Sequence, residues 1–101
     1  MGMDTIPPWE AVLYIGQKDV LFVDMREEEE YREGHIPGAV CLSYEELQQE
    51  LMGQKRYRMV ILYCDRGNAS LLAARGLQKL PLEIRSIAYG MTGYKGPLIR
   101  G

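Results

Sequence analysis

Apolar positions in this chain fall into two kinds of block. Val20-Leu21-Phe22-Val23 is an unbroken apolar run, and Arg58 to Tyr63 holds a second, Met59-Val60-Ile61-Leu62. Runs of this length, rich in β-branched residues and without polar alternation, predict strands covered on both faces. Ile84 to Ala88 predicts a last strand, followed by the spaced glycines Gly90, Gly93 and Gly96. The segments between are helical in pattern. Thr5-Ile6-Pro7-Pro8 leads into a helix over Trp9 to Ile15, with prolines suited to a first turn and Gly16 as its stop. Glu27 to Glu30 open a short helix ending at Gly34, and acidic residues in a first turn complement the helix dipole. Ser43-Tyr44-Glu45-Glu46 is a capping box, which predicts a helix through about Met52 with Gly53 beyond it. Asn68 to Leu80 reads as helix interrupted only by Gly76, and Pro81 ends it.

Strands separated by helices require crossover connections, so the expectation is α/β: a mainly parallel sheet flanked by helices on both faces. No repeat, low-complexity stretch or composition shift divides the chain, and one domain over residues 1–101 is expected. A chain of this size hides roughly 60–70% of the surface it would expose unfolded, enough for an ordinary core.

The composition, 47% hydrophobic and 26% charged, excludes disorder. Twelve basic against fourteen acidic side chains leave a formal charge of −2, which argues against a nucleic-acid partner but permits a small anionic substrate. The longest apolar run, Met59 to Cys64, is far short of the ~20 residues that span a bilayer, so no membrane partner is expected. No basic start with an apolar stretch suggests an export signal, and Ile6 stands where an acylation signal after Met1-Gly2 needs Ser or Thr. The expected location is cytoplasmic.

Two cysteines, Cys41 and Cys64, and one histidine, His35, make up the softer chemical inventory. Without a CxxC pair these scattered groups do not suggest zinc, and in a reducing compartment a structural disulfide is not expected. Cys41 lies in the apolar run Ala39-Val40-Cys41-Leu42 and reads as a buried small residue. His35 precedes Ile36-Pro37-Gly38, a turn-forming context that offers no reason for a general base.

Cys64 is different. It ends the Met59–Tyr63 run and opens Cys64-Asp65-Arg66-Gly67-Asn68-Ala69-Ser70, a glycine-containing loop that leads into a helix. Ligands of open α/β sheets bind at the carboxyl ends of strands. Backbone N–H groups of the loop and the helix start converge there, favouring a thiolate and attracting an anion. Gly67 lets the backbone curl around the sulfur. Arg66 faces either substrate or solvent, Ser70 is expected to cap the helix, the alternative being a donor at the sulfur, and Arg75 reads as a solvated surface charge.

The sequence also resembles a family. Val23-Asp24-Met25-Arg26, then Glu30-Tyr31, then Gly34-His35-Ile36-Pro37-Gly38-Ala39 is similar to the D-x-R…E-[YF]…G-H-I-P-G-A signature of rhodanese-like domains. Cys64 to Ser70 resembles their active-site loop, commonly C-R-x-G-x-[RT], and Gly90-Met91-Thr92-Gly93-Tyr94 a variant of their closing G-G-x-x-x-W. The resemblance implies a sulfurtransferase in which Cys64 takes a sulfane sulfur from a donor such as thiosulfate and passes it to cyanide, a thiol or a protein acceptor. It implies a persulfide intermediate, no metal and no organic cofactor. Asp24 and Arg26 would support the fold, and residues 65–70 would bind substrate. Two positions depart from the pattern: Asp65 stands where arginine is common, and Ala69 where Arg or Thr is common. An acid beside the thiol is expected to oppose both thiolate formation and an incoming anion. A Cys-based phosphatase is disfavoured because the position six beyond Cys64 is Ser70, not the arginine that would hold phosphate. A non-catalytic binding or redox-sensing module is the alternative reading.

Overall fold

The two apolar runs form the middle of the sheet. In the computed structural model, which describes residues 4–101 and so leaves Met1-Gly2 outside, β2 (Val20–Asp24) pairs in parallel with β4 (Met59–Tyr63). The register sets Val20 beside Met59 and Asp24 beside Tyr63, and every residue of both strands is buried. β5 (Glu83–Ile87) lies on the far side of β4, β3 (Val40–Cys41) beside β2, and β1 (Thr5–Ile6) beside β5. The order is β1-β5-β4-β2-β3, all parallel.

Period-two side chains divide this sheet between two cores. Val20, Phe22, Met59, Ile61 and Tyr63 face one side, where they meet Ala11, Ile36 and Tyr94. Leu21, Val23, Val60 and Leu62 face the other, covered by Leu47 and Leu51 of α3 (Tyr44–Leu51) and Ala73 and Ala74 of α4 (Asn68–Gly76). On the first side lie α1 (Pro8–Ala11), α2 (Glu28–Glu33) and α5 (Gly90–Gly93), from which Ala11 and the partly buried Tyr31 and Met91 reach the core. The expected α/β architecture, with helices on both faces, is the one observed.

The boundaries differ where tertiary contacts decide them. The helix expected over Trp9 to Ile15 is a single α-turn that tightens to a 3-10 turn over Val12–Tyr14, closed by the Ile15 N–H on the Val12 carbonyl at 3.2 Å. Val, Leu and Tyr in succession include poor helix formers, and Ile15 is already extended. Thr5-Ile6, expected only as a lead-in, is an edge strand because it finds Ser86 and Ile87 as partners. The helix expected to reach Leu80 stops at Gly76. A Cβ there would approach the Tyr44 hydroxyl to 2.6 Å, and Leu77 has left helical geometry at φ −102°, ψ 6°. Cys41 is not buried as expected. It lies on the short strand β3 beside the sheet margin and is partly exposed.

Candidate active site

At the end of β4 the chain leaves the sheet at Cys64 and turns through Gly67 into α4. Gly67 is the N-cap, with φ +98° and ψ −12°, a left-handed conformation that a side chain disfavours. The turn aims backbone donors at one atom. The Gly67 N–H lies 3.2 Å from the Cys64 sulfur, the Ser70 N–H 3.4 Å, and the Ser70 hydroxyl oxygen 3.4 Å. Cys64 is 7% exposed. Burial pushes its thiol up, but hydrogen bonds from the Ser70 hydroxyl and from the N–H groups of Ser70, Gly67 and Ala69 outweigh this, and the net direction is down. The sulfur therefore sits at a helix start that favours its anion.

Ser70 is not the expected cap. It is the third residue of α4, fully buried, and its hydroxyl faces inward to the Cys64 sulfur and to Ser86 Oγ at 2.6 Å. Ser86, on β5, was not singled out from the sequence. Its one signal was a serine two places beyond Ile84, on the inward face of the strand segment Ile84-Arg85-Ser86-Ile87.

A second feature the sequence reading missed is the clamp from α5. The Met91 N–H donates to the Cys64 carbonyl at 2.9 Å and the Thr92 N–H to the Asp65 carbonyl at 3.1 Å. Gly90 makes this possible: its φ is +53°, and a Cβ would collide with the Cys64 carbonyl oxygen. The Gly90…Gly93 spacing thus marks where the chain must press against the loop.

Above the sulfur opens a cleft of ≈ 540 Å³. Met25, Arg26, Glu27 and Glu30 form one wall; Cys64, Asp65, Arg66, Asn68 and Ala69 form the other. Gly67 and Ser70 lie buried beneath, while Asp65, Arg66, Asn68 and Ala69 are exposed at the rim. Asp65 is exposed and lines the cleft, while the groups that move the Cys64 thiol down are those of the loop and helix start. Arg26 is committed elsewhere. Its Nε lies 3.0 and 3.1 Å from the two Asp24 carboxylate oxygens, its Nη2 2.7 Å from one of them, and the same Nη2 donates to the Gly34 carbonyl at 2.7 Å. Asp24 is fully buried, so this pair braces the wall against the end of β2.

The remaining groups stand apart. His35 is buried, stacked on Tyr31 at 3.8 Å between ring centres, with Nδ1 2.8 Å from the Tyr31 carbonyl oxygen, and it does not line the cleft. The Cys41 sulfur lies 3.5 Å from the Arg26 carbonyl oxygen, and burial, then Asp24, push that thiol up. Arg75 is exposed and pairs with Asp4 at 3.5 Å. Among the described residues no group of three His, Cys, Asp or Glu is placed to hold a metal ion, and no helix is long and apolar enough to cross a membrane.

Comparison with known proteins agrees with this geometry. Residues 9–97 match the family profile for the rhodanese-like domain. A tRNA sulfurtransferase of Pyrobaculum aerophilum is 30% identical over 81 residues, which are 80% of this chain and 17% of that protein, so the chain spans a small part of its length. The thiosulfate sulfurtransferase GlpE of Coxiella burnetii is 30% identical over 88 residues, 86% of this chain and 79% of that one. A crystal structure of a thiosulfate sulfurtransferase from Pseudomonas aeruginosa shares the fold, with a TM-score of 0.83 at 23% identity over 98% of this chain and 20% of its own.

Proposed function

The chain belongs to the rhodanese-like domain family, and on that premise we propose that it is a sulfurtransferase with Cys64 as its nucleophile. The observation that carries this reading is the set of donors gathered on one buried sulfur, from Gly67 and Ser70 at 3.2 to 3.4 Å. The relatives named as sulfurtransferases support the same reaction class.

The Cys64 thiolate attacks the outer sulfur of a sulfane donor. The donor's S–S bond breaks and its electron pair leaves with the remainder: sulfite from thiosulfate, or a thiolate from a persulfide. A new S–S bond leaves the transferred sulfur on Cys64 as a persulfide. An acceptor, cyanide or a thiol on a small molecule or protein, then attacks that outer sulfur and releases the thiolate. The N–H groups of the α4 start are aimed at the Cys64 sulfur, so they hold the thiolate that begins the first step and the thiolate released in the second. Asp65, Arg66, Asn68 and Ala69 would meet the donor at the rim, with Gly67 and Ser70 holding the sulfur from below. The loop lacks the arginine of a Cys-based phosphatase, and buried Ser70 fills the position where it would stand.

Intact mass after incubation with a sulfane donor tests the reading. One added sulfur on Cys64, removed by cyanide with release of thiocyanate and absent in Cys64→Ser, is the expected result. A folded protein that accepts no sulfur from thiosulfate or from any persulfide would overturn it.

A further inference from the structure

The chemistry of the cleft differs between its floor and its rim. At its floor, donors converge on a single atom, the Cys64 sulfur. At its rim the charge has the opposite sign. Glu27 at the N-cap of α2, Glu30 within that helix and Asp65 from the loop all line it. Against these three carboxylates stand two guanidiniums, and one of them, Arg26, is bound by both Asp24 oxygens and the Gly34 carbonyl. Arg66 is the cation left uncommitted among the described lining residues. No lysine lines the cleft, and Ala69 adds neither charge nor hydroxyl.

The N–H groups of Gly67 and Ser70 at the start of α4 are spent on the Cys64 sulfur and do not answer the carboxylates of the rim. An anion is therefore favoured only where the transferred sulfur sits, and the rest of the donor lies among carboxylates. For thiosulfate that remainder is a sulfonate. For a persulfide it is whatever the thiol carries.

We infer that the cleft selects sulfane donors by the charge of their leaving portion, and that its substrate class is a persulfide borne next to positive charge. Glu27, Glu30 and Asp65 are the specificity-determining residues. This rests on the sulfurtransferase reading and deepens it. The reaction is the same displacement: Cys64 thiolate takes the outer sulfur of the persulfide, the donor S–S bond breaks, and the cationic thiol leaves as its thiolate with the bonding pair. No other reactant is required.

Two probes isolate the effect, the persulfides of cysteamine and of 3-mercaptopropionate, which differ in tail charge around the same reacting sulfurs. The measurement is the rate of sulfur loading onto Cys64 by intact mass, at low and high ionic strength. The cationic donor should load faster by roughly ten-fold or more at low salt, and the ratio should shrink as salt screens the rim. Thiosulfate should behave as the anionic donor does. Glu27→Gln with Glu30→Gln and Asp65→Asn should bring the two rates together, and Asp65→Asn alone should do so in part. Glutamine keeps the acceptor oxygens that Glu27 and Glu30 supply to the start of α2. The donor ratio of the unaltered protein against salt needs no variant at all. Equal loading by both persulfides, or a preference for the anionic one, would overturn the inference while leaving the sulfurtransferase reading intact. Loading by thiosulfate and by neither persulfide would overturn it too, and loading by none of the three would overturn both.

Discussion

The Ser86 hydroxyl lies 2.6 Å from the Ser70 hydroxyl, and both are sealed from solvent. Two hydroxyls at that distance share one proton between them. When Ser86 supplies it, the proton of Ser70 is free to point at the Cys64 sulfur, 3.4 Å away, or at the Gly67 carbonyl at the same distance. A polar pair buried between β5 and α4 thus links the sheet to the nucleophile.

Ser70→Ala should slow sulfur loading at neutral pH by roughly ten-fold or more, since a hydrogen bond to a charged group is worth about 1.5–3 kcal/mol. Ser86→Ala should act in the same direction and more weakly, because it touches the sulfur only through Ser70. The check is alkylation rate against pH: both variants should move the inflection upward, whereas simple loosening of the core would leave it in place.

The unaltered protein should show that inflection below the value of an ordinary cysteine thiol, since the Ser70, Gly67 and Ala69 donors outweigh burial. The same shift has a thermodynamic sign. Between the lowered folded value and the ordinary unfolded one, the unfolded chain binds the extra proton, so stability rises with pH through that window. It is lost as pH falls through the folded value. Melting temperature against pH, compared with Cys64→Ser, should show the rise in the first protein and not in the second.

Cys41→Ser should retain sulfur loading, and Cys64→Ser should abolish it. Cys41 is half-exposed on β3, outside the cleft lining, with its thiol pushed up by burial and Asp24. Loading that survives in Cys64→Ser, or disappears in a folded Cys41→Ser, would reassign the nucleophile.

Asp24→Ala should cost about 3–5 kcal/mol, because it leaves the nearly buried Arg26 guanidinium without its partner. The midpoint of urea unfolding measures this. Asp24→Asn, which keeps one acceptor oxygen, should fall between.

Gly90→Ala should destabilise the fold by on the order of 1–3 kcal/mol, the usual range for a strained backbone position, and should lower thiol reactivity as well. The added Cβ meets the Cys64 carbonyl that the Met91 N–H holds. Denaturant unfolding and alkylation rate should change together.

Signals that need only sequence neighbours were legible in advance. The Ser43 box formed as written, with the Ser43 N–H on Glu46 at 2.8 Å and the Glu46 N–H on Ser43 at 3.1 Å. The runs at 20–23 and 59–62 became strands buried on both faces, because continuous apolar sequence has no side to leave in water. Cys64 and Gly67 were legible too, since a strand end, a glycine and a helix start are local facts.

Tertiary structure decided the rest, and always where the partner is far away in sequence. Two-residue strands such as Thr5–Ile6 and Val40–Cys41 carry no period of their own and exist through the strands they pair with. Ser70 could be a cap or a sulfur donor by local pattern; Ser86, sixteen positions on, turned it inward. Glu27 and Glu30 read as a solvated helix start, which they are, yet packing also sets them across the cleft from Cys64. Local sequence fixes which backbone donors can reach the sulfur, because they lie within six residues of it. The charge surrounding the donor comes from a different crossover, and only the packed sheet brings the two together.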